Sequence, residues 1–211
     1  MTRKEKVEFL TKYLNDLYPE TVCFLHGEKD YEFLIAVLLS AQATDLSVNA
    51  VTPVLFNRYK TLSSLAEASA DEVYKIIKSV GLGASKSKNI VNLAKKLISD
   101  FDGKVPNDRK SLESLPGVGH KTAAVFLAEK RGGAYIPVDT HIKRVSTRLG
   151  IARKNESTDK IEAILEKEYK GNNHINFHRQ IILFGRNICM ANAKRKCEIC
   201  KLYFCKDRKT K

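Results

Sequence analysis

Apolar positions recur along the chain with a helical period. Val7, Leu10, Leu14 and Leu17 follow i, i+3, i+7, i+10 spacing and predict one apolar stripe on an N-terminal helix. Residues 31–42 are apolar on nearly every side, which suits a helix buried within a bundle. A buried strand competes for FLIAVLL (33–39), but no other segment offers it a partner strand. Further helices are predicted over 45–58, 62–68, 71–79, 86–100, 110–115, 120–131, 140–149, 158–169 and 174–188. Asp71 opens DEVYKIIKSV and Gly81 follows its end, while Asp139 is placed to N-cap THIKRVSTRLG and Gly150 to stop it. The fold class is therefore all-α. GGAYIPVD (132–139), with two glycines and a proline, is the best candidate for a domain crossing. One weak echo stands out: VGLGASKSKN (80–89) resembles PGVGHKTAAV (116–125), each with Gly-x-Gly and a downstream lysine.

Composition narrows the partners. Lys and Arg number 37 against 24 Asp and Glu, a formal charge of +13 over 211 residues, which favours a polyanion such as nucleic acid. The opening MTRKEKVEFLTKYL is charged throughout, unlike a signal peptide, and FLIAVLL is far short of the ~20 residues that span a bilayer. A soluble, cytoplasmic protein without a membrane partner is expected. Four of five cysteines crowd into 189–205, which in a reducing compartment favours a metal site over disulfides. Cys23 stands apart and reads as a small buried hydrophobe.

The second Gly-x-Gly turn carries the most chemistry. Gly117 and Gly119 permit positive φ and close approach of another chain, and Gly119 leads into a helix start whose amides lack intrahelical partners. Such a terminus holds phosphate and reads backbone rather than bases. An ordinary helix–helix turn fits the same residues. Lys121 sits where the helix dipole disfavours a cation, and partial burial would add to that, so the position suits a neutral, nucleophilic amine. A carboxylate such as Asp139 would serve it by taking a proton or balancing a cationic sugar; a surface lysine and a plain cap are the simpler readings. Cys189, Cys197, Cys200 and Cys205 are spaced C-x7-C-x2-C-x4-C, which accommodates zinc or a 4Fe–4S cluster, with zinc the first choice from composition.

LLSAQATDLSVN (38–49), VGLGASKSKNI (80–90), LPGVGHKTA (115–123) and VDTHIKRVSTRLG (138–150), with the terminal cysteines, occur in an order that closely resembles the endonuclease III family of helix-hairpin-helix DNA glycosylases. The resemblance runs over roughly residues 5–205. It implies two helical lobes with a DNA-binding groove between them, one over 22–133 with the helix-hairpin-helix, the other joining 1–21 to 134–211. It implies a bifunctional glycosylase and abasic-site lyase acting as a monomer on oxidised pyrimidines in double-stranded DNA containing damaged bases or abasic sites, nucleoid-associated if the source is bacterial. The family's catalytic lysine falls on Lys121 and its aspartate on Asp139. Gln42 and Leu82 match residues that enter the duplex, and Gly117, Gly119, His120 and His141 lie in DNA-contacting segments, as do Ser40 and Asp45. The family usually has a basic residue where His120 stands, so the sequence departs there.

The resemblance also turns the cysteine assignment from zinc to a 4Fe–4S cluster on Cys189, Cys197, Cys200 and Cys205. The first gap is one residue longer, and the last one shorter, than the family's usual spacing. Residues 194–211 hold eight Lys or Arg against two acids, which suits a loop held near phosphates. Two rivals remain: a non-enzymatic DNA-binding module, and a zinc-stabilised glycosylase without lyase activity.

Overall fold

A computed structural model describes residues 1–191 and 195–208; Lys194, Lys209 and Lys211 of the basic tail lie outside the described residues. Among the described residues there are eleven helices and no strand. The chain divides into a split unit, Met1–Val22 with Gly132 onward, and a contiguous unit, Cys23–Arg131.

The contiguous unit holds α2 (Asp30–Leu39), α3 (Asp45–Arg58), α4 (Leu62–Ala66), α5 (Ala70–Ile77), α6 (Gly83–Phe101), α7 (Arg109–Glu113) and α8 (His120–Arg131). Every residue of α2 after Asp30 is buried, as its apolar run requires, because α3, α6 and α8 all pack on it. Its start is secured by Glu32, whose Oε2 accepts from the amides of Glu28 and Lys29 (3.2 Å each). Ser69, not Asp71, caps α5, accepting from Glu72 N at 3.2 Å while Glu72 bonds back; Asp71 lies in the first turn. The long amphipathic α6 buries Ile90, Val91, Leu93, Ala94 and Leu97 on one face. It starts three residues earlier than the periodicity predicts, at Gly83, and α2 ends three residues early, at Leu39; both differences arise at the same pair of turns, described below.

The split unit holds α1 (Arg3–Leu17), α9 (Thr140–Arg148), α10 (Thr158–Glu168) and α11 (His174–Asn187). Thr2 and Glu5 form a capping box on α1. Val7, Leu10 and Leu14 are buried against α10 and α11, but Leu17 is exposed, because the helix ends there. The two chain segments are tied by polar bonds as well. Gln180 Nε2 donates to Asn15 Oδ1 (2.9 Å) and Tyr18 O (2.7 Å), and Arg179 Nη1 donates to Thr21 O (2.9 Å). Asp139 caps α9 as the sequence predicts, its Oδ1 accepting from Ile142 N at 2.8 Å. Gly150, at φ +64°, follows the end of that helix.

Candidate active site

The turn between α7 and α8 is built from below. Leu112, Leu115 and Val118 are buried, and Val118 N donates to Leu115 O at 3.1 Å, which tightens the chain before Gly119. Gly117 takes φ +76°, and a Cβ there would lie 2.8 Å from both Asn89 Nδ2 and Leu38 Cδ1. It is therefore the glycine that seats the turn on α6 and α2. Gly119 differs from the sequence expectation: it has no positive φ, and a Cβ there would meet nothing within 4 Å. Its carbonyl accepts from Ala123 N (3.0 Å), so the first-turn amides of α8 follow directly on an open stretch of backbone.

Lys121 is exposed, not partly buried. It lies in line with buried Ala124 and Ala128, but in the first turn, ahead of the part of α8 that enters the core. The neighbouring His120 ring faces back onto α7, with Arg109 Nη1 3.1 Å from Nε2 and Glu113 Oε1 3.2 Å from Nδ1.

Gln42 and Leu82 share a conformation. Both are non-glycine residues in the left-handed region, at φ +54° and +62°, and both are exposed, Leu82 to 58%. Each such residue costs on the order of 1–2 kcal/mol, and exposure of Leu82 forgoes its burial as well. Packing does not account for either residue. The turns that carry them touch: a Cβ on Gly81 would lie 3.0 Å from Gln42 O. Between them Lys86 is buried to 4% exposure, its Nζ donating to Leu39 O (2.8 Å) and Ala41 O (2.6 Å). Burial holds the Lys86 ammonium below the usual lysine value. Ser40 closes α2, its Oγ donating to Val37 O at 2.7 Å, and Asp45 opens α3.

In the split unit, Asp139 is half-buried at the head of α9. His141, in the first turn, has Nδ1 3.1 Å from Arg144 Nη2 and packs against the backbone of Gly185. Burial pushes its imidazole below the ordinary value; the Asp139 carboxylate opposes this, and Arg144 and Arg186 reinforce it. From α9, Arg144 donates to Cys189 O (3.0 Å) and Gly185 O (2.8 Å), and Arg148 to Met190 O (2.7 Å).

These bonds anchor the segment bearing the cysteines. Cys189, Cys197, Cys200 and Cys205 line one cavity, together with Phe184, Ile188 and Leu202 and with Arg148, Arg195 and Arg208. Arg148 Nη1 lies 3.4 Å from Cys189 Sγ. Asp207 pairs with Arg195 (2.6 Å) and Arg148 (3.1 Å) across the loop. Burial raises the Cys200 and Cys205 thiols. Among the described residues, no three His, Cys, Asp or Glu side chains converge closely enough to hold a single metal ion. Cys23 is intermediate in exposure rather than buried.

Sequence reasoning missed Lys86, Arg144 and Arg148. Lys86 falls on the apolar stripe of α6 with Ile90, Leu93 and Leu97, but Lys121 is likewise in line with Ala124 and Ala128, so that signal alone does not separate a buried lysine from an exposed one. Arg144 and Arg148 carry only an i, i+4 spacing, which an exposed face shares.

The chain thus combines a helical hairpin, with an exposed lysine in the first turn of its second helix, and a C-terminal cavity lined by four cysteines. Residues 35–170 match the HhH-GPD superfamily of base excision DNA repair proteins, and the chain belongs to that superfamily. It is 39% identical to endonuclease III of Bacillus subtilis over 98% of this chain and 94% of that protein. Endonuclease III of Escherichia coli is also 39% identical, over 95% and 93% of the two chains. Among solved structures, a trapped covalent endonuclease III–DNA intermediate matches with a TM-score of 0.91 at 37% identity, covering 97% of this chain and 96% of that one. A thermostable thymine-DNA glycosylase matches with a TM-score of 0.80 at 26% identity, over 95% and 93%.

Proposed function

We propose that the protein removes oxidised pyrimidines from duplex DNA and then nicks the abasic site, with Lys121 as nucleophile. The observation that carries this reading is the exposed lysine two residues beyond Gly119 and one beyond the helix start, in a chain so similar to a protein trapped covalently on DNA. The open backbone at Gly119 and the first-turn amides of α8 would hold a phosphate beside the lesion. The turns of Gln42 and Leu82 would enter the stack, one filling the space of the extruded nucleotide and one wedging the bases apart.

The neutral Lys121 amine attacks C1′, forming the N–C1′ bond as the glycosidic bond breaks and its electron pair leaves with the base. Opening of the sugar ring gives an iminium at C1′. Loss of a proton from C2′ then expels the 3′ phosphate by β-elimination, and water releases the lysine. Asp139 would accept the proton of the attacking amine and offset positive charge on the sugar. The carboxylate keeps one oxygen on Ile142 N, which fixes its rotamer and leaves the second oxygen for this role.

The four thiols line one largely apolar cavity, with an Arg148 guanidinium nitrogen 3.4 Å from Cys189 Sγ; this fits an anionic thiolate-bound cluster, and Cys189, Cys197, Cys200 and Cys205 would hold 4Fe–4S. The cluster would act as a staple for the C-terminal loop. Among the described residues no helix is long and apolar enough to cross a membrane, and the proposed work lies on the chromosome.

Borohydride trapping tests the reading. Wild-type protein should be captured on duplex DNA containing an oxidised pyrimidine or an abasic site, and Lys121→Gln should not. Equal trapping by both proteins would overturn the lysine assignment. Iron and acid-labile sulfide in stoichiometric amounts, with a broad visible band, would support the cluster; stoichiometric zinc would replace it.

A further inference from the structure

We propose that Lys86 is a positioning residue that clips the Gln42 and Leu82 turns into one rigid unit. The inference rests on the reading of those two residues as the pair that enters the duplex.

Lys86 is bonded in both directions. Its backbone N–H donates to Leu82 O at 3.0 Å, which holds the strained residue at the head of α6. Its Nζ reaches across to Leu39 O and Ala41 O, the carbonyls on either side of Ser40, and Ala41 immediately precedes Gln42. One side chain thus joins the end of α2 to the start of α6. The close approach of Gly81 to Gln42 O completes the contact.

The choice of lysine has a physical reason. The last carbonyls of a helix lack intrahelical donors, and a cation there is favoured by the helix dipole. An ammonium has three protons to give, enough for two carbonyls at once, where a hydroxyl has one. Left-handed residues on solvent-exposed turns persist only when their surroundings over-determine them. Here the surroundings on the protein side are Lys86 and Gly81. A wedge that must separate stacked bases needs this stiffness, since a turn free to relax would give way before the stack does.

The test uses Lys86→Met, Gly81→Ala, Gln42→Ala and Leu82→Ala in the full-length protein. Three quantities are measured below the unfolding temperature of each variant. One is single-turnover release of an oxidised pyrimidine from duplex DNA. The second is borohydride trapping on a single-stranded oligonucleotide with an abasic site, which has no stack to enter. The third is fluorescence of 2-aminopurine placed beside the lesion, which reports unstacking. Lys86→Met should lower duplex release roughly 30-fold and lose the fluorescence rise, as Leu82→Ala does, while single-strand trapping changes by less than about 3-fold. Gly81→Ala pushes the same turns apart without touching the lysine, and should lower duplex release about 5-fold; it carries the test if Lys86→Met does not fold. Loss of single-strand and duplex activity in equal proportion would reduce Lys86 to a general stabiliser and overturn the proposal. So would duplex release near wild type in both Lys86→Met and Gly81→Ala while Gln42→Ala and Leu82→Ala are impaired. If Gln42→Ala and Leu82→Ala are themselves unimpaired, the reading of the inserted pair fails, and the clip fails with it.

Discussion

The turns at 80–86 and 116–121 share Gly-x-Gly and a downstream lysine, yet use them in opposite ways. In the second turn a glycine takes the left-handed conformation, the other glycine lies open, and the lysine is exposed. In the first turn neither glycine has positive φ; the leucine between them takes it, and the lysine is buried. The second arrangement leaves backbone accessible and an amine presented. The first holds an apolar side chain outward and spends its lysine on internal bonds. Similar letters therefore produce a cradle in one place and a wedge in the other, according to which residue carries the strain.

The largest effect expected is chemical. Lys121→Gln should lower trapping on abasic DNA by at least about 10³-fold while leaving the melting temperature unchanged or slightly raised, since it removes a cation from a helix N-terminus. Lys86→Met should do the reverse in melting experiments, with a clear fall. Matching thermal profiles for the two variants would break the distinction between an exposed and an internal lysine. Next in size, Asp139→Asn should slow base release by about 10²–10³-fold in single-turnover assays. Asparagine caps a helix nearly as well as aspartate, so circular dichroism should show α9 intact.

The glycines separate the two turns more finely. Gly117→Ala meets both a positive φ and the Asn89 and Leu38 side chains, and should cost about 2–4 kcal/mol in chemical denaturation. Gly119→Ala, facing open space, should stay within about 0.5 kcal/mol. Leu82→Gly should instead gain about 0.5–1 kcal/mol by relieving strain, and lose base release as it does so. A Leu82→Gly protein that is both more stable and fully active would show that the strain serves nothing.

The smallest effect lies outside both turns and serves as their control. His141 has a folded-state value depressed by burial, so its neutral ring contributes stability above the ordinary histidine range. That contribution is lost as pH falls through the range, because the unfolded chain binds the proton first. Denaturation midpoints should decline slightly between pH 7 and pH 5, less so in His141→Asn.

Helix content was legible because the apolar stripes are long and well capped: Thr44, Ser69, Asp108, Asp139 and Ser157 each accept a first-turn amide. The exposure of Lys121 and the burial of Lys86 were not. A helical period places both lysines in line with buried positions, and only the tertiary cover decides which one is enclosed. Nor does Gly-x-Gly say which of its residues turns left-handed. At 81–83 that choice falls on Leu82, against local preference, and the partners that enforce it stand some forty residues away at Leu39 and Ala41.

The division of the chain has a consequence for synthesis on the ribosome. The contiguous unit can form as soon as its own residues emerge, whereas α1 waits. Asn15 finds its partner Gln180 only 165 residues later, so the apolar side of α1 has nothing to cover it while most of the protein is being made. The capping box at Thr2 and Glu5 needs no distant residue and allows that helix to begin forming alone. Closing the split unit is thus a late, high-contact-order step, and nascent chains stopped before α11 would present Val7, Leu10 and Leu14 to chaperones.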